Sequence, residues 1–168
     1  QINTVVSNFD TILHFAAKHG SLDVAKYLID KEADVNSVNF YGETPAHVAV
    51  KNKRLDMLEL LTSRGARVDL KEEHGNNALH LAVESRSVEI VQYLIDKGID
   101  VNAQNIAGLT AAEIAKRLKY SQIYKLLASK GAVLDANEVF DSDPETFNFD
   151  NCSSVDSSDI DYSKLSLA

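Results

Sequence analysis

The sequence contains 168 residues, of which 45% are hydrophobic, and it carries a formal net charge of −8 at neutral pH. This composition predicts one folded domain of ordinary size, and the negative charge disfavours nucleic acid or an anionic membrane surface as a partner. The single cysteine, Cys152, excludes an intrachain disulfide framework, and no apolar run approaches the roughly 20 residues of a membrane span.

The start of the chain, Gln1–Ile2–Asn3–Thr4, has neither the basic region nor the long apolar core of a signal peptide. Together with the cysteine content, this predicts an intracellular, cytoplasmic location, or delivery into a host cytoplasm if the source is an intracellular bacterium. The chain does not begin with Met, so we expect either a processed product or a piece of a longer protein. Residues 1–5 are predicted to be a lead-in. Val5, Val6 and Phe9, at and just after its end, are expected to cover the exposed apolar edge of the first repeat.

From Thr11 onward, a short motif recurs at a fixed spacing of 33 residues. Four copies in phase predict a repeat architecture over residues 6–137, with boundaries at about 6–38, 39–71, 72–104 and 105–137. The four copies of the motif read Thr11-Ile-Leu-His14, Thr44-Pro-Ala-His47, Asn77-Ala-Leu-His80 and Thr110-Ala-Ala-Glu113.

Each copy is predicted to form two short helices. In the second copy, Thr44 is a favourable N-cap and Pro45 suits the first helical position, so a helix should run to about Asn52. A second helix with a wide apolar face should begin near Leu55 and end at Gly65. Because a pair of helices this short cannot bury its own apolar face, neighbouring pairs must stack into one continuous core.

This pattern resembles the ankyrin repeat, which combines two helices and a turn at this period with a Thr-Pro-Leu-His-x-Ala motif. Residues 33–36 and 100–103, which read Ala-Asp-Val-Asn and Asp-Val-Asn-Ala, fit the same family. The resemblance implies an all-α fold, an ankyrin-repeat α-solenoid of helix-turn-helix pairs joined by short β-hairpin-like turns. Several positions depart from the pattern: proline occurs in one of the four copies, and Glu32 replaces the glycine after the first pair. Gly20, between the first two helices, is replaced in the later copies by Lys53, Arg86 and Lys119. Glu113 replaces the last histidine, which suits a terminal capping repeat.

The resemblance also implies that a partner protein binds the turn tips and the exposed ends of the first helices. The tip residues Phe40 and Tyr41 are the strongest candidates, because a turn tip usually prefers small polar residues and exposed aromatics are typical interface anchors. The alternative is that these two rings pack on a neighbouring turn or on the C-terminal tail. Charges along the groove are expected to alternate in sign. The predicted partner-binding set is Phe40, Tyr41, Lys51, Asn52, Glu73, His74, Glu84, Ser85, Ile106 and Arg117.

No nucleophile motif, metal-ligand motif or phosphate-binding glycine loop is present in the sequence, so we predict no enzyme, no cofactor and no metal site. His14, His47 and His80 lie in a row, but adjacent helices are about 8–10 Å apart, whereas zinc needs nitrogens at about 2.0–2.1 Å. Each ring is instead predicted to hydrogen-bond backbone groups in its own or a neighbouring turn. His19 and His74 are predicted to be surface residues without a partner.

Residues 138–168 form an acidic tail rich in Ser and Asp, whose net charge is −7. This composition is typical of a solvated segment, although phosphorylation of its serines, a role in turnover, or docking in the groove through Phe140, Phe147 and Phe149 are alternatives. The sequence as a whole predicts a monomeric, non-catalytic module for protein–protein interaction, with a regulatory role open to the tail. The alternative is a structural ankyrin segment of a larger protein, toxin or effector whose activity lies outside this chain.

Overall fold

The computed structural model describes residues 11–134, which lie in the first of the two units of the chain, Gln1–Leu134 and Asp135–Ala168. The predictions for the lead-in and the acidic tail, including Phe140, Phe147 and Phe149, lie outside the described residues. Residues 11–134 contain eight helices in four consecutive pairs, which confirms the predicted all-α arrangement. These are α1 Ile12–His19, α2 Leu22–Asp30, α3 Pro45–Lys51, α4 Leu55–Ser63, α5 Ala78–Glu84, α6 Val88–Asp96, α7 Ala111–Arg117 and α8 Ser121–Ser129.

The first helices of the pairs, α1, α3, α5 and α7, pack side by side in one layer, and each also packs against the second helix of its own pair. The first helices are rich in alanine, and small side chains such as Ala49 and Ala82 are completely buried. Larger side chains of the second helices, such as Leu58 and Leu94, fill the space between the layers. The core therefore runs continuously along the array, and each helix pair buries its apolar face against the neighbouring pairs.

Three of the four first helices, α3, α5 and α7, begin with the same side-chain cap. Thr44 stands before α3, its side chain accepts a hydrogen bond from the backbone N–H of His47, and Pro45 occupies the first helical position. Asn77 and Thr110 cap α5 and α7 in the same way. The caps therefore confirm the helix starts expected from the sequence. None of the helices within residues 11–134 is long and apolar enough to cross a membrane.

The turn between the two helices of each pair requires a left-handed residue. In the second pair this residue is Lys53, at φ 57°, and the next residue, Arg54, donates its N–H to the carbonyl of Ala49 at 2.8 Å. The first pair has Gly20 here, whereas the later pairs have non-glycine residues, which confirms that lysine and arginine replace glycine without a change of conformation. Glu32, which replaces the glycine after α2, is also left-handed, at φ 66°.

We expect Lys53→Gly to raise the free energy of unfolding by about 0.5–1 kcal/mol. Removing the Cβ relieves a left-handed strain of about 1–2 kcal/mol, and part of this gain is offset by the greater entropy of glycine in the unfolded chain. Urea denaturation of the two proteins would measure the difference. The matched control is Glu59→Gly in the middle of α4, which should lower the free energy of unfolding by about 1 kcal/mol. A destabilising effect at both positions would contradict this account.

Candidate functional site

A tight turn connects each helix pair to the next. In the turn from Asn39 to Glu43, the backbone N–H of Asn39 donates to the carbonyl of Glu43 at 3.0 Å. The side-chain oxygen of Asn39 also accepts hydrogen bonds from the N–H groups of Tyr41 and Glu43 at 3.0 and 2.9 Å. Turns that begin at Glu72 and Asn105 repeat the backbone pattern. These are the β-hairpin-like turns expected from the sequence, and hydrogen bonds within each turn fix its geometry.

Backbone hydrogen bonds also join neighbouring tips. The N–H of Glu73 donates to the carbonyl of Tyr41 at 2.9 Å, and the N–H of Ile106 donates to the carbonyl of His74 at 3.0 Å. The three tips are therefore held in register by main-chain contacts as well as by the helices below them. A partner that docks on this row meets a preformed surface, so little ordering entropy is lost on binding.

Large apolar side chains are exposed at the first and last of these tips. Phe40 is 67% exposed and Tyr41 is 41% exposed, and their rings meet edge to face with centroids 5.6 Å apart. Ile106 is 76% exposed. The middle tip presents Glu73 and His74 instead, so the row of tips reads apolar, polar, apolar.

Two adjoining pockets lie beside the tips. The first has a volume of about 400 Å³, and the second has a volume of about 490 Å³. Residues common to both linings are Glu73, His74, Asn76 and Glu84. The first pocket is completed by Tyr41, Glu43, Lys51, Glu72 and Leu81, and the second by Asn105, Ile106 and Ala107.

Two of the carboxylates in these linings are engaged within the protein. Glu43 forms an ion pair with Lys51; although burial raises the pKa of Glu43, its hydrogen bonds with Lys51 and Asn39 bring that pKa below its usual value. The side chain of Glu72 is only 5% exposed and contacts the Nδ1 atom of His74 at 3.0 Å. This contact raises the pKa of His74.

Glu84 lies at the end of α5, and its carboxylate has no such hydrogen bond or ion pair among residues 11–134. Partial desolvation raises the pKa of Glu84, and repulsion by Glu72 raises it further. Glu73, at the tip, lies 3.8 Å from the Nδ1 atom of His74. The pockets therefore carry a negative field to which Glu73 and Glu84 contribute at the surface.

The comparisons with known proteins agree with this geometry. One family model, for ankyrin repeats in three copies, matches residues 1–72, and a second, for ankyrin repeats in many copies, matches residues 60–115. The chain is an ankyrin-repeat protein. A search of the curated proteins found no match. Ankyrin repeats generally serve as protein–protein interaction modules and are typically non-catalytic, so the family sets the class of function, and the partner must be inferred from the site.

The pockets of this ankyrin-repeat protein bring together six of the ten predicted partner-binding residues: Tyr41, Lys51, Glu73, His74, Glu84 and Ile106. Four lie outside both linings. Phe40 is exposed at the tip beside Tyr41, and Arg117 is exposed at the end of α7. The other two have capping contacts: Asn52 donates to the carbonyl of Val48 at 2.8 Å, and Ser85 donates to the carbonyl of Ala82 at 3.1 Å.

Two expectations from the sequence are corrected here. The groove does not alternate in charge between the second and third tips, because Glu43, Glu72, Glu73 and Glu84 converge there around a single lysine, Lys51. His74 is not without a partner, since its ring contacts Glu72 two positions earlier in the same turn. His19, the other histidine predicted to have no partner, stacks against the ring of Phe15 with centroids 6.4 Å apart.

Sequence reasoning missed Glu43, Glu72 and Asn76, which line the first pocket. A signal for Glu72 was available, because it is 33 positions from both Asn39 and Asn105, the residues that begin the other two turns. Its side-chain oxygen accepts from the N–H groups of His74 and Asn76 at 3.0 and 2.9 Å, as Asn39 does in its own turn. A polar residue repeated at that register indicates a side chain that stabilises the turn.

Ligand-type atoms of Glu72, Glu73 and His74 lie within 4.8 Å of one another. Glu72 is occupied by two backbone N–H groups and by the ring of His74. These contacts account for the grouping without a metal ion, and exposed acidic groups are common without one.

The buried histidines hold their own helix starts to carbonyl groups that lie further along the chain. The Nδ1 atom of His47 accepts from the N–H of Thr44 at 2.9 Å, and its Nε2 atom donates to the carbonyl of Leu70 at 2.9 Å. His14 and His80 reach further, to the carbonyls of Glu43 and Leu109 in the next repeat, at 2.8 and 3.0 Å, whereas Leu70 belongs to the same repeat as His47. The prediction that each ring bonds to backbone groups of its own and the next turn is confirmed.

We expect the free energy of unfolding to fall as the pH is lowered from 7 to 5. Burial lowers the pKa of His47 and of His80 in the folded protein, so the unfolded chain binds more protons below its own value near 6.5. This contribution is present above about pH 6.5 and is lost as the pH falls toward the folded values, at up to about 1.4 kcal/mol per pH unit for each histidine.

Urea denaturation at a series of pH values would measure this loss. His74→Gln is the control, because the raised pKa of that exposed residue acts in the opposite sense and its effect is screened by solvent. The falling limb below pH 6.5 should persist in this variant. Constant or increasing stability between pH 7 and pH 5 would contradict the assignment of His47 and His80.

Proposed function

We propose that this ankyrin-repeat protein binds a partner protein through the turn tips and the adjoining groove, without catalysis. The observation that carries the proposal is the exposed pair of rings at the first tip, Phe40 and Tyr41, on a row of tips joined by backbone hydrogen bonds. Aromatic side chains are enriched among the residues that dominate binding energy at interfaces. Held on a preformed surface, they lose little freedom when a partner covers them.

The experiment compares the full chain with the double variant Phe40→Ala, Tyr41→Ala as bait in a lysate. Proteins captured by the full chain are then purified, and their affinity for both forms is measured. Truncation of an anchor of this kind costs about 2 kcal/mol, which corresponds to about 30-fold in affinity. We therefore expect at least that loss for the double variant.

The matched control is Val24→Ala with Tyr27→Ala, which removes an exposed aliphatic and an exposed aromatic side chain from α2, away from the tips. This variant should retain the affinity of the full chain. Equal losses in both double variants, or no loss in either, would show that the tips are not the binding surface.

The proposal includes three finer points. We infer a monomer, which size-exclusion chromatography with light scattering would test, and a cytoplasmic location, which imaging of the tagged chain would test. We also infer that the acidic tail regulates binding by competing with the partner for the exposed rings at the first tip. Replacing Phe140, Phe147 and Phe149 by alanine in the full chain should then raise affinity for the partner, and unchanged affinity would exclude this competition.

A further inference from the structure

The two pockets beside the tips form one depression, because they share Glu73, His74, Asn76 and Glu84. We call this depression the acidic cleft. Its linings contain four carboxylates and a single lysine, Lys51. This excess of negative charge is local, since residues 1–137 as a whole are nearly neutral.

The contacts within the cleft show which carboxylates are available to a ligand. Glu43 is engaged by Lys51, and the buried Glu72 is engaged by backbone N–H groups and by His74. Glu73 and Glu84 are exposed. Glu73 has one long contact, 3.8 Å, with the Nδ1 atom of His74, and the carboxylate of Glu84 makes neither a hydrogen bond nor an ion pair within residues 11–134. A cation placed beside Glu84 would offset both its partial desolvation and the repulsion it receives from Glu72.

Apolar side chains stand at the two ends of the cleft. Tyr41 lines it on the side of the second repeat, Ile106 lines it on the side of the fourth, and Leu81 adds an apolar contact inside. A lone metal ion would make no use of these apolar borders, whereas a peptide chain would. A ligand that complements this apolar, acidic, apolar order has a basic group between two apolar groups.

We propose that the occupant of the acidic cleft is a segment of a partner protein that places an arginine or lysine side chain between Glu73 and Glu84, with apolar side chains against Tyr41 and Ile106. Arginine fits better than lysine, because its planar group offers several donors to two carboxylates at once. This inference rests on the proposed function and names the chemistry of the partner.

The test selects random twelve-residue peptides, displayed on phage, against the purified full chain. Synthetic copies of the selected peptides are then measured by fluorescence anisotropy against the full chain and against Glu73→Gln with Glu84→Gln. The matched control is Glu59→Gln, which removes an exposed carboxylate from α4. We expect selected peptides to carry a basic residue flanked by apolar residues, and to lose at least tenfold in affinity for the cleft variant only.

Within those peptides, replacing the basic residue by glutamine should cause a similar loss for the full chain and little further loss for the cleft variant. The affinity of the unchanged peptide should also fall with added salt. Peptides that depend on Phe40 and Tyr41 but need no basic residue would overturn this inference and leave the proposed function intact. Selection of no peptide that depends on either the tips or the cleft would overturn both.

Discussion

Gly75→Ala is expected to lower the free energy of unfolding by about 1.5–4 kcal/mol, because backbone strain and a backbone clash together outweigh the entropy that alanine removes from the unfolded chain. Gly75 has φ +76°, a left-handed conformation that costs a residue with a Cβ about 1–2 kcal/mol. Its Cβ would also lie 2.6 Å from the backbone nitrogen of Ile106, in the neighbouring tip. Because that contact involves backbone, the tip must move, and overpacking of this kind costs about 1–3 kcal/mol more.

Gly108→Ala is the matched control. Gly108 has the same φ of +76° at the same position of the next turn, but nothing lies within 4 Å of the position its Cβ would take. This variant should therefore lose only the conformational part, about 0.5–1 kcal/mol once the entropy that alanine removes from the unfolded chain is subtracted. Gly42→Ala should fall between the two, since its Cβ would meet the nitrogen of Glu73 at 3.3 Å.

Urea denaturation of the three variants would rank them, and amide exchange at Ile106 would report on the contact between tips. If Gly75→Ala and Gly108→Ala destabilise the protein equally, close approach of neighbouring tips is not what excludes a side chain at Gly75. Faster exchange of the Ile106 amide is expected in Gly75→Ala alone, because that N–H donates to the carbonyl of His74.

The helices could be predicted from the sequence because their determinants are local and recur. Thr44 followed by Pro45 places the start of α3 where the structure has it, and the expected end at about Asn52 differs by one residue from the observed end at Lys51. The register also shows which position is left-handed in the structure, since lysine or arginine takes the place of Gly20 in the later pairs with the same sign of φ. The packing of the helices could be predicted from the repetition, because each repeat in a regular array packs against the repeats before and after it.

The candidate site was less predictable, because its charge depends on how the turns stack. Glu43 and Glu84 are far apart in the sequence, yet they line one pocket because the second and third repeats are adjacent. Reading the groove along the chain gave alternating signs, since Lys51 was counted as a free charge, whereas its side chain is paired with Glu43. Pairing of this kind depends on side-chain direction, which spacing alone does not give.

The helix ends show a further role that the sequence analysis did not assign. Asn52 and Ser85 are predicted to contact a partner because the family resemblance implies it, and this stays a prediction. Their side chains donate to carbonyls of their own helices, which is common for small polar residues at a helix end. The spacing of three or four residues to an unsatisfied carbonyl could have indicated this role.

The second large effect is expected for His47→Ala, which should lower the free energy of unfolding by about 3–5 kcal/mol. His47 is 1% exposed, and its ring connects the N–H of Thr44 to the carbonyl of Leu70, at the end of the same repeat and just before the turn that begins at Glu72. Its removal leaves a cavity and two buried polar groups without partners, each of which costs about 1–3 kcal/mol when unpaired.

His74→Ala is the matched control, because the same substitution is made at a ring that is 72% exposed. Only a surface contact with Glu72 is lost there, so the change should stay within about 1 kcal/mol. Equilibrium denaturation should therefore separate the two variants clearly, and similar losses would show that the buried ring of His47 and its backbone contacts contribute little. Since the repeats share their stability, a loss at His47 should destabilise the whole array and with it the row of tips that a partner would meet.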